Sequence, residues 1–228
     1  MKPIYEPRGA AKEYGDYAIN IYTGCPHRCF YCFAPSVLHR DREEFHSCVK
    51  PREGIVEAVK AQIEREQLTG KLIHLCFTCD PYPAGYDTTA TRQIIKLLKD
   101  SRNNVQILTK NPTQRDFDLL DENDWFGVTY DGGNPVGSFI PPLLLYKAHE
   151  MGIKTWISFE PVLNAEAVFV AITETASYVD KIKIGKLNYH KSDINWKQFG
   201  EEAEALCKEL GLNYYIKDSL RNEMARKI

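Results

Sequence analysis

The chain has 228 residues, 43% of them hydrophobic, and a formal net charge of −2. That length suits one domain, or at most two, and the hydrophobic share excludes a disordered chain. The near balance of 29 basic against 31 acidic residues argues against strong non-specific DNA binding, which rewards a basic surplus. No apolar run reaches membrane-spanning length. Pro3, Glu6, Pro7 and Glu13 stand where a secretory signal needs an apolar core, so a cytoplasmic protein with no membrane partner is expected. Seven cysteines, an odd number, argue against a disulfide framework in such a chain.

Short β-branched or aromatic runs alternate with helical patterns. Strands are expected at Tyr17–Tyr22, Lys71–Thr78, Val105–Lys110, Trp125–Tyr130, Lys154–Glu160, Lys181–Lys186 and Asn213–Ile216. The first long helix is expected from Pro51 to Thr69. Pro51 suits a first helical position, Gly70 suits the stop, and Ile55, Val56, Val59 and Ile63 make one apolar stripe. Further helices are expected over Thr88–Ser101, Pro112–Asp121, Pro141–Met151, Ala165–Thr175 and Asp193–Leu210. This beat implies an α/β fold: a partial (β/α)6-type barrel with parallel strands and one extra C-terminal strand, a doubly wound sheet being the runner-up. One domain is expected over 1–228, with 1–16 as an N-terminal extension and 212–228 as a C-terminal strand and helix appendage. In parallel α/β folds the working groups belong at the C-terminal strand ends.

Directly after the first strand comes Cys25-Pro26-His27-Arg28-Cys29-Phe30-Tyr31-Cys32, a C-x3-C-x2-C spacing. Three thiolates so close on a loop can converge on one soft metal centre. A structural zinc site wants four closed ligands, whereas three cysteines on a [4Fe–4S] cluster leave one iron open. Zinc held by these cysteines with His27, His39, His46 or Cys48 is the alternative, as a non-enzymatic interaction module. An iron–sulfur electron carrier or sensor is a third reading, weakened by the missing fourth cysteine.

This spacing, with an aromatic before the last cysteine, resembles the signature of radical S-adenosylmethionine (SAM) enzymes. The string Asn20-Ile21-Tyr22-Thr23-Gly24-Cys25, with Phe77-Thr78-Cys79-Asp80-Pro81 and Leu108-Thr109-Lys110, resembles the branch related to spore photoproduct lyase. The resemblance implies a [4Fe–4S] cluster on Cys25, Cys29 and Cys32, and SAM bound to the open iron through its amino and carboxylate groups. It implies reductive cleavage to a 5′-deoxyadenosyl radical, an external electron donor, and a substrate that loses a hydrogen atom. Tyr31 would pack near the SAM adenine, Thr78 and Asp80 would lie where the SAM amino group is received, Lys110 would meet the carboxylate, and Thr129 would face SAM.

Each has an ordinary alternative. Asp80-Pro81 also reads as a turn, Lys110 as an exposed strand-end lysine, and Thr129 as β-propensity. Strand alternation puts Trp156, Ser158 and Glu160 on one face. Glu160 is then a catalytic candidate touching ribose or substrate, or the partner of Lys183, Lys186 or Lys217. Cys76 is the other catalytic candidate, although parity sends Cys76 and Cys79 to opposite faces and makes inert buried thiols the better reading of both. Cys48 and Cys207 read as inert. Phe30 and Phe33 are expected to cover the loop.

In the lyase branch a cysteine stands on the second strand and a tyrosine follows the last cluster cysteine. Here those positions are Phe77 and Phe33, which argues against lesion repair by the same route. The substrate is left open among a nucleobase or nucleotide, a peptide and a protein.

Overall fold

The computed structural model describes residues 2–133 and 141–226. The chain forms two compact units, Met1–Trp125 and Phe126–Ile228.

In the first unit, β1 (Tyr17–Ile19), β2 (Leu72–Leu75) and β3 (Asn104–Thr109) lie side by side in sequence order. They pair in parallel, with Tyr17 opposite Ile73 and Leu75 opposite Ile107. Both faces are buried, as parallel sheets require: Ile19, Ile73, Leu75 and Val105 are sealed, and so is His74, whose ring meets the Gln106 amide at 3.0 Å. Short helices α1 (Ala34–Val37) and α2 (Arg42–Ser47) follow β1, α3 (Ile55–Glu66) precedes β2, and α4 (Thr89–Asp100) precedes β3.

The expected α3 stripe is present, with Ile55, Val59 and Ile63 buried. The helix nevertheless starts after Pro51. Pro51 forms a bridge with Tyr22, and Gly54 at φ +60° sets the start at Ile55. The expected helix over Pro112–Asp121 is one 3-10 turn, Phe117–Leu119. Local hydrogen bonding wins there: the Asn111 amide donates to the Tyr82 carbonyl, and buried Asp116 accepts from the Tyr82 hydroxyl and Arg92.

The second unit orders β4 (Trp125–Thr129), β5 (Lys154–Phe159), β6 (Lys181–Ile184) and β7 (Tyr214–Ile216), with β5, β6 and β7 paired in parallel. Phe126, Val128, Ile157, Phe159, Ile182 and Ile184 fill its core. Gly127 is required where it stands, because a Cβ there would lie 2.1 Å from the Trp156 indole nitrogen. Helices α5 (Pro141–Glu150), α6 (Ala165–Thr175), α7 (Trp196–Glu209) and α8 (Asp218–Met224) complete it. Asn164 and Asn195 cap α6 and α7 by accepting from Ala167 and Gln198. The seven expected strands form, each close to its expected place and most of them shorter.

Candidate active site

The loop after β1 carries Cys25, Cys29 and Cys32, all free and half-buried. It is moulded onto α2. A Cβ on Gly24 would lie 2.1 Å from the Phe45 carbonyl oxygen, so only glycine permits this approach. Arg42 donates to the carbonyls of Cys29 and Cys32, and the His46 ring meets the Cys25 carbonyl at 2.7 Å. Burial pushes the Cys25 thiol up to about 12, against the opposing pull of the His27 and Asp80 backbone N–H groups. Burial also raises Cys32.

Phe30 and Phe33 do not sink into the protein. They stay 56% and 51% exposed, and Phe30 packs edge-on against Tyr31.

Asp80 is the hub of this region. Its Oδ1 accepts from the Tyr82 N–H at 2.8 Å and the Thr109 hydroxyl at 2.6 Å. Its Oδ2 meets the His27 ring at 3.0 Å and accepts from the Lys110 N–H at 2.8 Å. Burial works to raise its pKa, but these partners, His27 first, outweigh it and leave the carboxyl below its ordinary value. The bond to Tyr82 is the turn foreseen as the alternative. With four donors engaged, the carboxylate has little accepting capacity to spare.

Lys110 closes a circuit. Its Nζ donates to the Tyr31 hydroxyl at 2.8 Å and lies 5.3 Å from that ring's centre. The path runs from the cysteine loop through His27 to Asp80, on to Lys110, and back to the loop at Tyr31. Thr78 lies beside it. Its N–H and that of Phe77 both donate to the Asn20 side chain, while its own hydroxyl oxygen is buried without a hydrogen-bond partner.

β2 ends at Leu75, so alternation does not reach Cys76 or Cys79. Both are buried and free, and the Tyr22 N–H donates to Cys79 Sγ at 3.3 Å.

In the second unit β5 is buried from Thr155 to Phe159, Trp156 and Ser158 included, and Glu160 follows directly after its end. Glu160 Oε2 accepts from Lys217, one of the three expected partners, at 2.5 Å. Lys186 pairs with Glu223, and Lys183 lies over the Trp156 and Tyr215 rings. Thr129 ends β4.

His27, Arg42 and His46 were missed as holders of the loop; long-range bonds to carbonyls and carboxylates leave no periodic trace in a sequence. Among the described residues, no three His, Cys, Asp or Glu side chains are gathered about one point as a single ion would need. A multi-iron cluster places each thiolate on its own iron and asks for a wider triangle. Three cysteines on one loop and a buried hydroxyl at Thr78 without a partner suit a cluster with a small polar ligand beside it.

A family model described as the Radical SAM superfamily matches residues 19–165. An uncharacterized protein of Methanocaldococcus jannaschii is 26% identical over 92% of this chain and 86% of its own. A spore photoproduct lyase variant solved with AdoMet and a dinucleoside spore photoproduct superposes with a TM-score of 0.66 at 13% identity, over 92% of this chain and 78% of its own. Streptococcus suis SuiB bound to S-adenosylmethionine gives 0.68 at 10% identity, over 91% of this chain and 52% of its own. These likenesses show the fold: α/β, parallel strands, a partial barrel, with β7 as the additional C-terminal strand. Among the described residues, no helix is long and apolar enough to cross a membrane.

Proposed function

Because the chain belongs to the radical SAM superfamily and is an enzyme of that class, we propose that it binds a [4Fe–4S] cluster and SAM at the loop described above. Bound there, the two supply a 5′-deoxyadenosyl radical when an external donor provides an electron, and that radical takes a hydrogen atom from the substrate. The observation that carries this reading is the closed circuit from His27 through Asp80 and Lys110 to Tyr31. It ties the ends of β2 and β3 to the cysteine loop, as a site built to hold a cluster and a ligand together requires.

Cys25, Cys29 and Cys32 hold the cluster. Arg42 and His46 hold the backbone carbonyls of these cysteines in place. Lys110 offers its ammonium group to the SAM carboxylate, Tyr31 offers its ring to the adenine, and Thr78 offers its unpartnered hydroxyl. Asp80 acts through others: it orients His27 and the Lys110 backbone, its acceptor sites being filled by protein donors. Thr129 contributes a further SAM contact. Cys76 and Glu160 stay the candidates for hydrogen and proton handling. We read 1–228 as one catalytic domain, which the family match supports by running across residue 125. A cytoplasmic location fits thiols that must stay reduced for iron.

The substrate is not photoproduct DNA handled by the lyase's route. Phe77 stands where the resemblance calls for a cysteine, and it is packed between the His74 and Tyr14 rings. A large substrate is favoured. One structural neighbour is solved with a dinucleoside photoproduct and another with a precursor peptide.

The test is anaerobic reconstitution with iron and sulfide, then dithionite and SAM, with 5′-deoxyadenosine read by mass spectrometry. Product is expected, and Cys29→Ala should abolish both the iron and the product. Colourless protein with stoichiometric zinc, or a fully reduced cluster that leaves bound SAM whole, would overturn the reading. Lys110→Ala and Thr78→Val should weaken SAM binding while the cluster's visible absorption is kept. An unchanged SAM titration would remove those two residues from the site.

A further inference from the structure

All three cysteines of the loop are held from one helix. Arg42 and His46 stand four residues apart on α2 and so share one of its faces. Arg42 Nη1 donates to the Cys32 carbonyl at 3.2 Å, and its Nη2 donates to the Cys29 carbonyl. The His46 ring meets the Cys25 carbonyl at 2.7 Å. One guanidinium therefore spans two of the three cysteines, a task suited to its planar fork of donors. The acids of the same helix are engaged elsewhere. Glu43 pairs with Arg28 at 2.6 Å, and Glu44 pairs with Arg40 at 2.8 Å. Among the described residues, the hydrogen bonds of the Arg42 side chain go to those two cysteine carbonyls and no carboxylate forms an ion pair with it. Arg42 is also half-buried, where salt screens a charge less than it does in the open. Arg28 is the opposite case. It lies between Cys25 and Cys29 in the sequence, yet its side chain is 53% exposed and its charge is answered by Glu43.

We propose that Arg42 is a positioning residue that sets the reduction potential of the cluster on Cys25, Cys29 and Cys32: its positive charge, delivered at the carbonyls of two of the ligands, makes that cluster easier to reduce. The inference rests on the cluster reading given above. Reduction moves one electron from the external donor to the cluster and so adds one negative charge at the loop. A fixed cation beside the ligands favours the more negative state, and net charge is one of the levers by which a protein sets such a potential. Groups that orient the ligands tune a metal centre as well as hold it. Arg42 does both from one side chain, and it thereby decides how strong a donor the protein needs. Arg28 is nearer in sequence but paired in open solvent, so its charge should count for little.

The test is a potential, which separates charge from scaffolding. The full chain would be reconstituted anaerobically with iron and sulfide, without SAM, and titrated electrochemically while the visible absorption of the cluster is followed. Arg42→Gln keeps an amide donor for a carbonyl and loses the charge. Arg42→Lys keeps the charge and loses the fork. At the wild-type midpoint, Arg42→Gln should show a reduced-to-oxidised ratio lower by about tenfold, which is about 59 mV for one electron. Arg42→Lys and Arg28→Gln should stay within about twofold of wild type. An Arg42→Gln midpoint equal to that of wild type would overturn the proposal. So would Arg42→Lys falling as far as Arg42→Gln, because a residue that only holds the loop fails equally in both. Loss of iron from both Arg42 variants, with iron kept by wild type, would leave Arg42 a loop-holding role alone and overturn it too. A wild-type chain that takes up no iron is a different result: it overturns the cluster reading itself and this inference with it.

Discussion

The two units hold a carboxylate near the ends of their strands in different ways. In the first, Asp80 is gripped by four donors, two of them backbone N–H groups. In the second, Glu160 meets the ammonium group of Lys217. The Lys217 side chain is 4% exposed and that of Glu160 20%. A carboxylate held by several directional hydrogen bonds, half of them from backbone, is a joint: its partners lose their geometry when it goes. A carboxylate that meets an ammonium group is a charge balance, which a neutral pair can replace. The joint lies in the unit with the cysteine loop.

Substitution can break that contrast. Asp80→Ala strands four donors at once and should cost about 3 kcal/mol or more in urea unfolding of the metal-free protein. A loss below about 1 kcal/mol would show that water satisfies the donors and that no joint exists. Lys217→Met should cost less, about 2 kcal/mol, by removing the ammonium group that Glu160 meets. Adding Glu160→Gln should recover part of it, as a charge balance permits and a joint does not. Failure to recover would place Glu160 with Asp80.

Acid sharpens the same contrast with a smaller effect. Asp80 titrates below its ordinary value in the folded protein. Its contribution is therefore complete above that ordinary value and is lost as pH falls through the depressed one. Between about pH 5 and about pH 3 the wild type should lose more stability than Asp80→Asn, measured by denaturant midpoints. Asp124, raised by burial despite Lys99, works in the opposite direction and is common to both proteins. The smallest effect belongs to the surface. Arg28 and Glu43 pair in the open, and Arg28→Ala should change stability by less than about 0.5 kcal/mol.

The same division decides what a sequence can reveal. In the second unit Trp156 and Ser158 lie on a regular strand, and the sequence offered Lys217 as one of three lysine partners for Glu160, beside a ligand role, without choosing among them. In the first, β2 stops at Leu75. The residues from Cys76 to Asp80 obey loop geometry, so strand parity does not govern where their side chains go. The three cysteines were legible as a group because they fall close together on one loop. The residues that hold their loop were not, because Arg42 and His46 act on carbonyl oxygens, which every residue has. The segment after Asn111 looked helical by its cap and proline, yet Asp116 finds stronger partners in Tyr82 and Arg92.

The first residues of the chain, read from the sequence as an N-terminal extension, are stitched in place. Gln62 accepts from the Ile4 N–H and donates to its carbonyl, and Tyr5 exchanges both backbone bonds with Ala18. In the first unit, β1 stands at the end of its strand order, so this arm occupies backbone groups that would otherwise offer a docking edge to another chain. Trimming the arm should therefore show first as self-association in light scattering, before any loss of chemistry. A tag or fusion belongs at the other terminus.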